Sequence, residues 1–309
     1  MITDELIITP ERLFKERAPF FHVCTKPIDG ILFKDDEARR TVLLFLALAA
    51  LESSSVLLAY AIMSNHVHVI LAADDPERFC RCFIERSNAY MARHSHDGQR
   101  LPDNPTIVPI TSLNQFMTAV AYVIRNQYVV DASISPVSHI WCSGYLYFNP
   151  IVEELRQKLN YIPAESLSGR KVMKITHSKE PTLPPGGLKF LDEFPAPSSF
   201  VDYKLVERLF LNARSFMARV FRNVEGQVET ALMLGETPVI PDEEMARLMW
   251  KYCSNEWNVR GFKDLSPAQR INLAKHMKYA YHSSNGQIAR ISGLARKEVD
   301  TFFPQPVGS

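Results

Sequence analysis

A chain of 309 residues that is 46% hydrophobic can bury a substantial core, which excludes disorder as its main state and leaves room for two domains. Its 35 lysines and arginines balance 34 aspartates and glutamates, so whole-chain charge gives no argument for a nucleic-acid or membrane partner, and any basic surface must be local. Five scattered cysteines, Cys24, Cys80, Cys82, Cys142 and Cys253, do not form a disulfide framework and suit a reducing compartment, so a cytoplasmic location is expected.

Met1 opens a charged segment without an apolar signal core, and the longest apolar run, Val42 to Leu51, is too short for a bilayer. Neither export nor a membrane span is expected. Phe20 to Thr25 is aromatic and β-branched, is closed by the turn residues Pro27, Asp29 and Gly30, and reads as a first strand. Asp35 to Leu51 opens with acids and continues in helix formers, so it reads as a helix packed on a sheet. Leu57 to Met63 and His66 to Leu71 read as two strands around the turn dipeptide Ser64-Asn65. Asp74-Asp75-Pro76 starts a second helix that runs to about Arg93, with Phe79, Phe83 and Tyr90 at helical spacing.

The order strand, helix, two strands, helix predicts an α+β fold: a mostly antiparallel, ferredoxin-like sheet with helices on one face. Residues 97 to 112 read as loop, and a third helix follows from about Leu113 to Val129. Beyond Pro150 the texture changes, and the prolines and glycines between Ser178 and Ser199 have linker composition. The predicted organisation is an α+β domain over 1–150, a linker over 151–199 and an all-α domain over 200–309. In that last domain, helices are expected at about 200–222, 242–256 and 266–282, with a final cluster to Phe303.

The most informative residues are His66-Val67-His68. Alternate residues of a strand share a face, so the two imidazoles point the same way as a pair of metal ligands on a rigid element. The plainer reading is an amphipathic strand whose histidines are merely hydrogen-bonded. On the third helix Tyr122 and Asn126 are four residues apart and project as neighbours. A tyrosine phenol attacks a phosphodiester when a divalent metal, held by histidines and an amide oxygen, neutralises the developing charge. Tyr122 as a core aromatic and Asn126 as a surface amide is the competing reading. Histidines suit Mn²⁺ or a transition ion and carboxylates suit Mg²⁺, which leaves the metal open between Mg²⁺ and Mn²⁺.

Three strings taken together, Met63-Ser64-Asn65-His66-Val67-His68, Tyr122-Val123-Ile124-Arg125-Asn126 and Trp141-Cys142-Ser143-Gly144-Tyr145, resemble the Y1 transposases of the IS200 type. Their order and spacing are closest to the REP-associated tyrosine transposase branch, over about the first half of the chain. The resemblance implies an HUH endonuclease-like domain in which His66 and His68 bind a divalent metal, Asn126 assists it and Tyr122 is the nucleophile. It implies single-stranded or hairpin DNA as substrate, a 5′-phosphotyrosine intermediate and a homodimer. The chain departs from the family at Gln127, where proline is usual, and in the segment DNPTIVPI, which lacks the family's Gly and Trp pattern. A DNA-binding regulator without cleavage and a histidine-metal hydrolase that uses water remain open alternatives.

Other signals read as subsidiary. His94-Ser95-His96 lies at a helix end and reads as structural or phosphate-contacting, and Cys80-x-Cys82 lacks zinc-knuckle spacing. Tyr90 and Tyr128 are rival nucleophiles on other faces. Arg78, Arg81, Arg86 and Arg93 recur along the second helix and Arg125 adjoins Tyr122, all expected as phosphate contacts. Gly286 to Val299 resembles a helix-turn-helix, with Ala289 and Gly293 small, Ile288, Leu294 and Val299 forming a shared core, and Arg296 and Lys297 facing DNA.

Overall fold

The computed structural model describes residues 8–94, 98–130, 135–221, 224–236, 238–259 and 261–304, with the side chains of 127–130 and 224–225 outside the description. The fold is mixed α+β, and the chain divides into two compact units, 1–221 and 222–309. Among the described residues no helix is long and apolar enough to cross a membrane.

The first unit opens with α1 (Pro10–Arg17) and β1 (Phe20–Cys24), followed by α2 (Asp36–Ser53), β2 (Val56–Ile62), β3 (Val67–Ala72), α3 (Pro76–His94), β4 (Thr106–Ile110) and α4 (Leu113–Val130). Local chemistry sets these boundaries. Asp35 caps α2 by accepting the Ala38 N–H at 2.8 Å, and Ser54, at φ 56°, ends the helix in the left-handed region. Ser64 turns the β2–β3 hairpin, and its carbonyl accepts from Leu32 N and Phe33 N, each at 2.8 Å. Residues 97–112, expected as loop, include β4, and its Pro109 is tolerated because β4 is an edge strand.

The four strands form an antiparallel sheet in the order β2-β3-β1-β4, which makes β3 and β1 the inner strands. Their register sets Cys24 opposite His68 and His22 opposite Ile70. Opposed residues share a face, so Phe20, His22, Cys24, His68 and Ile70 line one side, while Val23, Val67, Val69 and Leu71 line the other.

Helices on one face only were expected, but the sheet is covered on both. Strand β3 is buried almost throughout, so each of its two apolar sets needs a cover, each fully buried side chain contributing about 1.5–3 kcal/mol. The histidine face is covered by α4, where the Phe20 and Phe116 rings stand 5.0 Å apart. The opposite face falls to α2, which packs on β2 and on α3.

The segment expected as a linker is part of this unit. It forms α5 (Pro150–Lys158), a small antiparallel sheet of β5 (Ile162–Pro163), β6 (Lys189–Leu191) and β7 (Phe194–Pro195), and α6 (Gly169–Thr176). Val172, Leu188 and Phe190 are buried, and both α6 and β7 pack on α2. Its prolines and glycines therefore shape a packed layer rather than a tether. The unit closes with α7 (Tyr203–Phe210) and α8 (Ala213–Val220). The single helix expected there breaks at Leu211, whose φ is 67°, and restarts with Asn212 as its cap.

The segment Trp141 to Tyr145 covers the outer edge of β2. Ile62 N donates to the Trp141 carbonyl at 2.8 Å, Ala61 bridges Cys142, and Tyr60 N donates to Ser143 Oγ at 3.0 Å. Tyr147 OH reaches the Leu58 carbonyl at 2.6 Å, and burial raises the pKa of the Tyr60, Tyr145 and Tyr147 phenols, so all three stay protonated. A Cβ on Gly144 would meet the Pro136 carbonyl oxygen at 2.3 Å and Ile124 Cγ2, on α4, at 2.7 Å. Gly144→Ala is therefore expected to destabilise the unit by about 1–3 kcal/mol. Urea unfolding measures this, and a wild-type midpoint would contradict the close approach.

The second unit contains α9 (Val224–Met233), α10 (Asp242–Trp257), α11 (Pro267–Tyr281), α12 (Asn285–Ser292) and α13 (Arg296–Phe302). Ser266 and Gln269 make a capping box at the start of α11. Ile288 and Val299 are fully buried in the core of α10 to α13, and Leu294 packs against it. Gly293 joins α12 to α13 at φ 72°, with the Arg270 guanidinium 2.4 Å from where a Cβ would stand.

Candidate metal and nucleophile site

The site sits on the inner strands beneath α4. His68 projects from β3 at 1% exposure and His66, just before the strand, is partly exposed. Their Nε2 atoms are 2.8 Å apart. The Tyr122 ring stands nearly perpendicular to His68, at 85°, with 6.1 Å between centroids. Three residues that the motifs single out thus converge within one chain.

The outer nitrogens of both imidazoles are also engaged. His66 Nδ1 is 2.8 Å from Asn65 Oδ1, and Asn65 donates its amide N–H to the Ile28 carbonyl. Because that carbonyl can only accept, Asn65 Oδ1 is left to accept from His66, which places the proton on Nδ1 and a lone pair on His66 Nε2. His68 Nδ1 is 3.4 Å from His22 Nε2, and His22 is fully buried. The hydrogen-bond geometry alone closes as a chain from His22 through His68 and His66 to Asn65. The same atoms suit an ion: two imidazole nitrogens bound at about 2.0–2.1 Å stand about 2.9 Å apart at a right angle. The two states differ in the tautomer of His68, which donates through Nε2 in the chain and offers Nε2 as a lone pair to a metal.

Cys24, His66 and His68 form a group able to hold a metal, with ligand atoms within 4.8 Å of one another. Cys24 and His22 were treated in the sequence only as part of a strand. The signal was present, since His22-Val23-Cys24 has the same alternation as His66-Val67-His68.

Asn126 is partly buried one turn beyond Tyr122, and its Nδ2 donates to the Tyr122 carbonyl at 3.2 Å. Arg125 is 5% exposed, which puts its guanidinium inside the fold rather than on an outer surface. The basic positions of α3 do not join the site, because α3 packs on α2 across the sheet from His68. Arg78 is exposed there, Arg81 stands 3.8 Å from Asp75, Arg86 pairs with Glu52 and Arg93 donates to the His177 carbonyl. Helical spacing cannot report which side of a sheet a helix covers.

Tyr90 is also on α3, in contact with Phe45, His94 and His177, and is remote from the histidine pair. The Tyr128 side chain and residues 95 and 96 of His94-Ser95-His96 lie outside the described residues. Burial pushes the Cys80 thiol up to about 12, away from thiolate chemistry, and all five cysteines are free.

In the second unit Arg296 pairs with Asp300 at 3.0 Å and Lys297 is exposed. Arg270 donates to the Ser292 carbonyl at 2.6 Å and to the Phe262 carbonyl at 2.8 Å, where its charge also suits the C-terminus of α12. No family model matches the chain, and no curated protein matches it.

Proposed function

We propose that the first unit is a metal-dependent, single-stranded DNA cleaving and joining enzyme of the REP-associated tyrosine transposase kind. The observation that carries this reading is the packing of the Tyr122 ring against His68, whose Nε2 lies 2.8 Å from His66 Nε2. The strand order β2-β3-β1-β4, together with the order strand, helix, strand, strand, helix, strand, supports a ferredoxin-like, HUH endonuclease-like fold.

In this reading His66 and His68 hold a divalent ion, with Mg²⁺ and Mn²⁺ the expected candidates and Asn126 the assisting amide. Bound there, the ion would polarise a phosphate and neutralise charge developing on it. Tyr122 supplies the attacking oxygen and gives up its phenol proton; its new bond to the 5′ phosphate replaces the P–O3′ bond, a 3′-hydroxyl leaves, and the ester conserves bond energy for rejoining. Asn65 and His22 fix the imidazole orientations from behind. The substrate class is single-stranded DNA beside a hairpin, and the α12–α13 pair is a helix-turn-helix whose Arg296 and Lys297 meet DNA. A homodimer is the expected working unit, although each chain brings its own tyrosine to its own histidines.

The test is denaturing electrophoresis after incubation with end-labelled hairpin DNA and Mg²⁺ or Mn²⁺. A covalent protein–DNA band that needs the metal is the expected result. Cleavage without the band would instead favour water as nucleophile. The chain of hydrogen bonds from His22 to Asn65 favours a second reading, a DNA-binding regulator, which predicts binding with neither cleavage nor adduct.

A further inference from the structure

Cys24 has no part in the reading above, although it sits in the centre of the site. It lies on inner strand β1 directly opposite His68 on inner strand β3, so both side chains emerge on the face that α4 covers. The strands are locked beside them, with Thr25 N donating to the Val67 carbonyl at 3.0 Å and Val67 N to Thr25 Oγ1 at 2.8 Å. Cys24 is 4% exposed, and its Sγ makes a weak polar contact with the Thr25 carbonyl at 3.5 Å.

We propose that Cys24, His66 and His68 are the three protein ligands of a thiolate-containing centre that takes Zn²⁺ or Co²⁺ in preference to Mg²⁺. The proposal rests on the metal reading of the histidine pair and does not depend on the tyrosine chemistry. A soft thiolate beside two imidazoles suits zinc-like ions, whereas Mg²⁺ requires oxygen ligands and gives up water reluctantly. The Cys24 thiol proton leaves to bulk solvent as the Sγ–metal bond forms. The 2.8 Å between the two Nε2 atoms corresponds to about a right angle at an ion, so three protein ligands would leave more than one position for water or a phosphate oxygen, as an open rather than a closed structural zinc site does.

The donors also have partners that orient them, as ligating histidines require: Asn65 at 2.8 Å behind His66, and His22 at 3.4 Å behind His68. Asn126, on α4, spends its Nδ2 on the Tyr122 carbonyl, which leaves its amide oxygen as the atom that would assist from above the three ligands.

The test is optical titration of the full metal-free chain with Co²⁺. The expected result is one equivalent bound, with an intense near-ultraviolet sulfur-to-cobalt band beside the visible ligand-field bands. Cys24→Ser is expected to abolish the ultraviolet band and weaken binding at least about tenfold. Cys82→Ser, on α3, is expected to keep the band. Zinc absorption-edge spectroscopy on the wild-type protein needs no variant and should find one sulfur at about 2.3 Å. A band that survives Cys24→Ser, or zinc without sulfur, would overturn the proposal and leave the histidine centre standing. No Co²⁺ bound at all would overturn both.

Discussion

Tyr122→Phe is expected to lower DNA cleavage by at least about 10³-fold and to eliminate the covalent band, because the substitution removes the attacking oxygen and nothing else in the site replaces it. Phenylalanine keeps the ring that stands against His68, so α4 should stay seated on β2 and β3. The loss should therefore come without unfolding, at a stability cost of no more than about 1–2 kcal/mol. Single-turnover assays alongside a thermal melt separate the two effects. Cleavage at the wild-type rate by a folded Tyr122→Phe protein would assign the attack to water.

His68→Ala is expected to weaken metal binding more than about 100-fold, since it removes a ligand rather than an outer partner. It should also cost about 2–4 kcal/mol of stability, because a ring at 1% exposure leaves a cavity between α4 and the inner strands. His66→Ala should lose comparable metal affinity with a much smaller stability cost, since His66 is partly exposed at the end of the strand. Titration calorimetry and urea unfolding of the two variants give the contrast. Wild-type metal affinity in both would reduce the pair to the hydrogen-bond chain alone.

Local periodicity made the site's two halves legible. The alternation in His66-Val67-His68 pointed to two converging rings, although β3 starts at Val67 and His66 stands just before it; Ser64-Asn65 gave the hairpin, and the four-residue spacing gave the Tyr122–Asn126 pair on α4. Contacts between elements distant in the chain were not legible in this way. The register of β1 on β3 brings Cys24 to His68, and it depends on pairing across more than forty residues that no local pattern encodes. Which helix covers which face is likewise a tertiary property, so the α3 arginines, evenly spaced and basic, turned out to lie across the sheet from Tyr122.

Composition misled in the opposite way at Ser178 to Ser199. Proline and glycine there mark turns, while Leu188 and Phe190, at 1% and 0% exposure, anchor the segment in the core. The Trp141 to Tyr145 string carries a structural role that its residues did not advertise. It completes the edge of β2, and Gly144 lets Pro136 and Ile124 close over it. That glycine lets the segment close on α4, the helix that carries Tyr122, which gives the motif a structural reason to accompany the other two.

The most direct test of Tyr122 as the group that takes the phosphate is peptide mass spectrometry of the covalent product. Wild-type protein is incubated with metal and a hairpin-bearing single strand, digested with nuclease and protease, and searched for a nucleotide-modified peptide. The expected result is one modified peptide, with the added nucleotide on Tyr122 through a 5′ phosphate. A nucleotide on Tyr90 or Tyr128, or an unmodified protein from a reaction that has cut its DNA, would contradict it.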